Sequence, residues 1–120
     1  MNPAIKSMEV GKGFVYYYIE DKGVERKNLT KLIRGNKIPY LYAHKKGFDI
    51  TILMVWVPVS DRGRGIATSL LKKIQDINPP PSKIELDDCS DNFMKWSENI
   101  YVKCGFKYIE DGHPEMVWMG

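Results

Sequence analysis

Apolar positions follow two rhythms along this chain, and the change of rhythm marks its elements. Phe14 to Glu20, with Tyr16, Tyr17 and Tyr18 at its middle, reads as a strand, because aromatic side chains suit a pleated surface. Asp21-Lys22-Gly23 reads as a turn. Between Glu25 and Arg34, Leu29, Leu32 and Ile33 are spaced for a helix face on a short segment. Pro39 to His44 reads as a strand and Lys45-Lys46-Gly47 as its turn. Asp49 to Val57 is a near-continuous apolar run, expected to be a strand covered on both faces.

After that run the period lengthens. Ile66, Ala67, Leu70, Leu71, Ile74 and Ile77 recur at helical spacing, with Lys72, Lys73, Gln75 and Asp76 on the other face. Pro79-Pro80-Pro81 ends that helix. Lys83 to Asp88 alternates again, with Ile84 and Leu86 facing one way. Asp91 or Asn92 can cap a second helix with an inward stripe of Phe93, Trp96, Ile100, Tyr101 and Cys104, closed by Gly105. Phe106 to Glu110 and Glu115 to Met119 read as a closing hairpin. A strand–helix–strand unit at the centre must cross over, which makes its two strands parallel. The pattern predicts an α/β chain with a mixed sheet and flanking helices.

Composition narrows the picture. A length of 120 residues fits one domain, since domains cluster near about 100–150 residues. With 43% hydrophobic and 28% charged residues, the chain is unlike a disordered or fibrous sequence. A net charge of +3 suits a small polyanionic ligand better than a nucleic-acid track. The cysteines, Cys89 and Cys104, make no C-x-x-C pair, and His44 lies far from His113, so a metal site is not expected. The opening, Met1 to Val10, has no apolar signal stretch, and the longest apolar run is far below the roughly 18 residues of a membrane span. Free thiols in a reducing, cytoplasmic setting are the expectation.

The segment Val55 to Ala67 concentrates the chemistry. It runs from the buried strand through Arg62-Gly63-Arg64-Gly65 into an amphipathic helix. The first amides of a helix lack internal partners and carry the positive end of its dipole, a ready site for phosphate. Gly63 and Gly65 let backbone approach the anion, and Arg62 and Arg64 add charge. Neither G-x-x-x-x-G-K-[ST] nor G-x-G-x-x-G occurs here, which disfavours a P-loop and a dinucleotide fold.

What does occur is Arg-x-x-Gly-x-Ala, as Arg62, Gly65 and Ala67, followed at Tyr101 by a tyrosine four residues before Gly105-Phe106. Together, over the C-terminal 70 or so residues, these segments resemble the acyl-CoA loop and later tyrosine motif of the GNAT superfamily of N-acetyltransferases. The resemblance implies splayed parallel strands holding acetyl-CoA as co-substrate. It implies a coenzyme core over residues 49–120 and an acceptor side over residues 1–48. The main chain of Val55, Trp56 and Val57 would pair with the pantetheine amides. Arg62, Gly63, Arg64, Gly65, Ile66, Ala67 and Thr68 would hold the diphosphate. Lys103 and Asn92 would add coenzyme contacts, and Tyr101 would be the general acid. Relatives are often dimers, so a homodimer is an expectation too.

One departure matters. Relatives that acetylate polyamines or histone-like lysines often carry a Glu on the strand before the loop, where this chain has Ile52-Leu53-Met54. A primary amine of pKa near ~10.4 must lose a proton before it attacks. Asp87 and Asp88, at the carboxyl end of the second parallel strand, are the candidates for its removal. The local acids Glu85, Asp87, Asp88 and Asp91 favour a small polyamine-like acceptor; a protein lysine or N-terminus, or an antibiotic, are the alternatives. Duller readings stand beside these. Asp87 to Asp91 can be a helix-capping cluster, Tyr101 a core aromatic, Tyr16 to Tyr18 strand packing and His113 an exposed turn. A non-catalytic acyl-CoA-binding module and a nucleic-acid-binding domain are the rival functions.

Overall fold

Alternation along the strands and the helical stripes resolve into one mixed sheet with helices on both sides. The structure, a computed structural model, describes residues 5–19, 26–58, 62–63, 65–88, 99–110 and 112–120. In chain order the elements are β1 (Ile5–Gly11), β2 (Phe14–Ile19), α1 (Arg26–Arg34), β3 (Tyr40–Lys46), β4 (Asp49–Trp56), α2 (Ile66–Ile77), β5 (Lys83–Asp87), α3 (Ile100–Lys103), β6 (Lys107–Tyr108) and β7 (Glu115–Trp118). The sheet order is β1-β2-β3-β4-β5-β7-β6. Only β4 and β5 run parallel, joined by α2; the other neighbours are antiparallel.

Strand alternation sends successive side chains to opposite faces, and each face has its own core. Leu41, Ala43, Ile50, Ile52, Ile84, Leu86 and Met116 pack with Leu70, Leu71 and Ile74 of α2. On the other face, Tyr18 and Tyr40 pack with Leu29 and Ile33 of α1. The stripe of α2 is covered at Leu70, Leu71 and Ile74, which are fully buried. Ile77 at its end is 42% exposed, however, and Gln75, expected on the polar face, is buried with its side-chain amide donating to the Cys104 carbonyl at 2.8 Å.

Other expectations are corrected as well. The strand β1 precedes the first one read from the sequence; it lies at the sheet edge, and most of its side chains face solvent, so no apolar rhythm marks it. The β3–β4 turn falls at Gly47-Phe48, after the two lysines rather than through them. The strand β4 is central but is not covered on both faces, because Leu53 and Met54 are each 48% exposed. The second helix is not continuous from Asp91 or Asn92 to Cys104: Asn99 is an extended N-cap, so α3 starts at Ile100. Phe93 and Trp96 lie outside the described residues, as do Cys89, Asp91, Asn92 and Arg64.

Candidate functional site

The exposure of Leu53 and Met54 has a geometric cause. Strands β4 and β5 pair in register only from Asp49↔Lys83 to Ile52↔Leu86. Beyond that point β4 continues from Leu53 to Trp56, while β5 ends at Asp87. A bulge marks the divergence: opposite β3, Tyr42 pairs with Met54 and Ala43 with Ile52, so Leu53 is an extra residue. A bulge bends its strand and disrupts the ladder locally. The parted strands open a cleft of about 590 Å³ lined by Thr51 to Val55, Glu85 to Asp87, Tyr101, Ile109, Glu115 and Met116. Along β4, the backbone beyond Ile52 has no β5 partner among the described residues, so it is an open edge that an extended amide-bearing ligand can join.

At the end of this edge the chain turns into α2. Gly63 has φ 84° and Gly65 has φ 74°. Both lie in the left-handed region that L side chains rarely adopt. Gly65 is the N-cap of α2 and, as a glycine, supplies no side-chain cap; no other described residue caps it. The first internal bond of the helix runs from the Ser69 amide to the Gly65 carbonyl, at 3.0 Å. The amides of Ile66, Ala67 and Thr68 thus precede the helix's own ladder. A Cβ built at Gly63 or Gly65 would meet nothing within 4 Å. The glycines therefore border open space, and the loop fits a diphosphate held by backbone N–H groups.

Arg62 folds back on the end of β4. Its Nε donates to the Val57 carbonyl at 2.9 Å, and its guanidinium lies 5.3 Å from the centre of the Trp56 ring. Trp56 in turn donates from Nε1 to the Asn36 carbonyl at 3.2 Å, tying the loop after α1 to the end of β4. The side chain of Trp56 thus packs toward α1, and Val55 alone of Val55, Trp56 and Val57 lines the cleft. Lys103 is exposed at the last residue of α3 and does not line the cleft.

Tyr101 does line it, and the local sequence explains how the ring is held. Asn99 caps α3: its Oδ1 accepts from the amides of Tyr101 (2.9 Å) and Val102 (3.2 Å). At the other end Gly105, at φ 93°, gives a left-handed turn. The Phe106 amide donates to the Tyr101 carbonyl and the Gly105 amide to the Val102 carbonyl, both at 3.0 Å. This is the two-bond helix stop that glycine favours, and its usual apolar contact is present. The Tyr101 and Phe106 rings meet edge to face at 6.3 Å. The spacing of tyrosine to Gly-Phe is thus what fixes Tyr101 within a single turn.

The two aspartates part company. Asp87 is exposed at the end of β5 and lines the cleft. Asp88, only 2% exposed, points inward. Its Oδ2 accepts from Asn99 Nδ2 and from the Tyr108 hydroxyl, each at 2.6 Å. Asp88 is therefore not among the cleft residues, because the next residue along a strand points to the opposite face. Glu115 takes its place. It stands directly across from Asp87 in the β5–β7 pairing and lines the cleft, although no sequence feature singled it out. Glu85 lines the cleft as well and pairs with Lys83 at 2.7 Å. Among the described residues, every charged residue lining the cleft is an acid. Among the described residues no cluster of three His, Cys, Asp or Glu could hold a metal ion, and no helix is long and apolar enough to cross a membrane.

No protein-family model matches the sequence, and no curated protein does. Solved structures do resemble it. The ribosomal-protein-S18-alanine N-acetyltransferase of Escherichia coli matches over 90% of this chain and 68% of its own, with TM-score 0.61 and 12% identity. Arabidopsis thaliana NAA60, solved with a bisubstrate analogue, matches over 90% of this chain and 76% of its own, with TM-score 0.61 and 14% identity. The anti-CRISPR protein AcrVA5 matches over 67% of this chain and 88% of its own, with TM-score 0.52 and 25% identity.

Proposed function

We propose that this chain, which has the fold of the GNAT N-acetyltransferases, moves an acetyl group from acetyl-CoA to a cationic primary amine. The observation that carries the reading is the parting of β4 and β5 beside an uncapped, glycine-led helix start, with Tyr101 facing the gap. The open edge of Leu53 to Trp56 suits the pantetheine amides, and the amides from Gly63 to Thr68 suit the diphosphate. Acetyl-CoA supplies a thioester carbonyl to the cleft. There Asp87 takes a proton from the ammonium, and the freed nitrogen lone pair forms the new C–N bond as the C–S bond breaks. Tyr101 gives its hydroxyl proton to the departing sulfur. Of the three ammonium protons, one stays on the amide, one leaves through Asp87 to solvent and one replaces that lost by Tyr101.

The acceptor we favour is a small polycation of the polyamine kind. Glu85, Asp87 and Glu115 line the cleft, with no lysine or arginine among its described lining residues. Asp87 and Glu115 are like charges directly opposite each other, an arrangement that destabilises a sheet unless something cationic lies between them. The test is acetyl-CoA turnover against spermidine, a lysine peptide and an aminoglycoside. Spermidine is expected to give the highest kcat/KM. Turnover of the peptide alone would overturn the polyamine assignment, and turnover of none would overturn acetyl transfer. A Tyr101→Phe variant should lose about 10²–10⁴ in kcat while its affinity for acetyl-CoA is kept.

A further inference from the structure

We propose that Asp88 is a positioning residue for Tyr101, acting through the side-chain amide of Asn99. The inference rests on the acetyl-transfer reading of Tyr101. Asp88 and Asn99 are among the most deeply buried polar residues, at 2% and 1% exposure. A buried carboxylate is costly, and apolar residues of similar volume often serve stability as well or better. Its presence here has a directional consequence. An asparagine amide rotated by half a turn exchanges its oxygen for its NH₂. Rotated that way, Asn99 would turn N–H groups toward the amides of Tyr101 and Val102, and the cap would be lost. A carboxylate accepts only. Asp88 therefore holds the Nδ2 side of Asn99, at 2.6 Å, and leaves Oδ1 for the two amides.

Tyr108 closes the arrangement. Its hydroxyl donates to the same Asp88 oxygen at 2.6 Å and accepts from Asn99 Nδ2 at 3.2 Å. Tyr108 belongs to the edge strand β6, so the clamp joins the ends of β5, α3 and β6 at the turn that carries Tyr101. The backbone of Asp88 is fixed as well, its amide donating to the Pro114 carbonyl at 2.7 Å. Consecutive residues thus divide the work: Asp87 faces the cleft and Asp88 sets the angle of the tyrosine opposite it. A misplacement of about 1 Å at a reacting group can cost a hundredfold in rate.

The test is a double-mutant cycle with a swap. Asp88→Asn should lower kcat at least tenfold with the KM for acetyl-CoA within twofold. In a Tyr101→Phe background the same substitution should change kcat less than twofold, because nothing is left to position. Asp88→Asn combined with Asn99→Asp reverses donor and acceptor across the clamp, and it should restore most of kcat. A loss that persists in the Tyr101→Phe background, or a swap with no rescue, overturns the inference, as does full activity of Asp88→Asn. If Asp88→Asn fails to fold, Tyr108→Phe takes its place in the cycle, since it removes one bond to Asp88 and leaves the charge paired with Asn99. Should no amine be acetylated, the transfer reading fails by itself. Hydrogen exchange at the Tyr101 and Val102 amides then decides the clamp: protection lost in Asp88→Asn and regained in the swap supports it, and unchanged protection overturns it.

Discussion

Asp87 and Glu115 face each other across β5 and β7 with the same charge. Like charges directly opposite cost a sheet up to about 1 kcal/mol. Asp87→Asn with Glu115→Gln should therefore leave thermal stability unchanged or raise it slightly. The same pair should lower kcat, because Asp87 takes the ammonium proton. It should also weaken binding, raising KM for spermidine about tenfold from two exposed ion pairs worth up to about 1 kcal/mol each. That loss of binding should shrink at high salt. A helix-capping role for Asp87 predicts the reverse, a fall in melting temperature with KM unmoved. Gly65 gives a sharper separation of strain from contact. At φ 74° with open space beyond it, Gly65→Ala should cost about 1–2 kcal/mol of stability from backbone strain. Gly65→Val should in addition abolish acetyl-CoA binding in titration calorimetry, because its branches enter the space beside the uncapped amides. Wild-type affinity in a folded Gly65→Val variant would remove the loop from the binding site.

At the scale of elements, the bulge at Leu53 lies where β4 and β5 stop pairing. Deleting Leu53 would restore a continuous β3–β4 ladder, with Ile52 and Met54 keeping their present partners Ala43 and Tyr42. The variant should keep the fold by circular dichroism and bind acetyl-CoA at least tenfold more weakly. Unweakened binding would show that the strands part for another reason. The sequence legibly marked most of this architecture. The bounds of helix α2 match the stripe, Ile66 to Ile77, and Leu70, Leu71 and Ile74 are buried as its period requires, although Ile77 is exposed and Gln75 is buried. The motif of Tyr101 and Gly105-Phe106 was legible because glycine's left-handed turn and the tyrosine spacing are local chemistry. The parting of β4 from β5 was not, since it depends on where two strands far apart in sequence stop pairing. Glu115 was missed for the same reason: β7 inserts between β5 and β6, and only that order brings it opposite Asp87. Asp88 was read with Asp87 as one acidic cluster, whereas strand alternation sends the two carboxylates apart.

At the scale of the whole molecule, four groups among the described residues, Cys104, Tyr17, Tyr40 and Lys83, have titration displaced in the same direction. Burial raises the Cys104 thiol above its ordinary 9.0, against a smaller opposing effect of Lys72. Burial raises the Tyr17 phenol above 10.0, and burial with the nearby Tyr16 raises Tyr40. The hydrogen bond from Lys83 to Glu85, then the charge of Glu85, raises the ammonium above 10.5. In each case the folded chain keeps a proton that the unfolded chain releases at lower pH. The unfolded state then binds fewer protons through this window, so stability falls as pH rises. The contribution is complete below the ordinary values and is lost upward through the raised ones. Cys104 belongs to the core on the α2 face and Tyr40 to the core on the α1 face, so both layers weaken over the same range. Urea denaturation should give a midpoint that these groups leave level from pH 7 to about 8.5 and lower progressively from about pH 9. Tyr17→Phe should flatten the part of that decline near and above pH 10, since a phenylalanine has no proton to lose. A midpoint that climbs between pH 9 and 11 would contradict the direction of all four shifts.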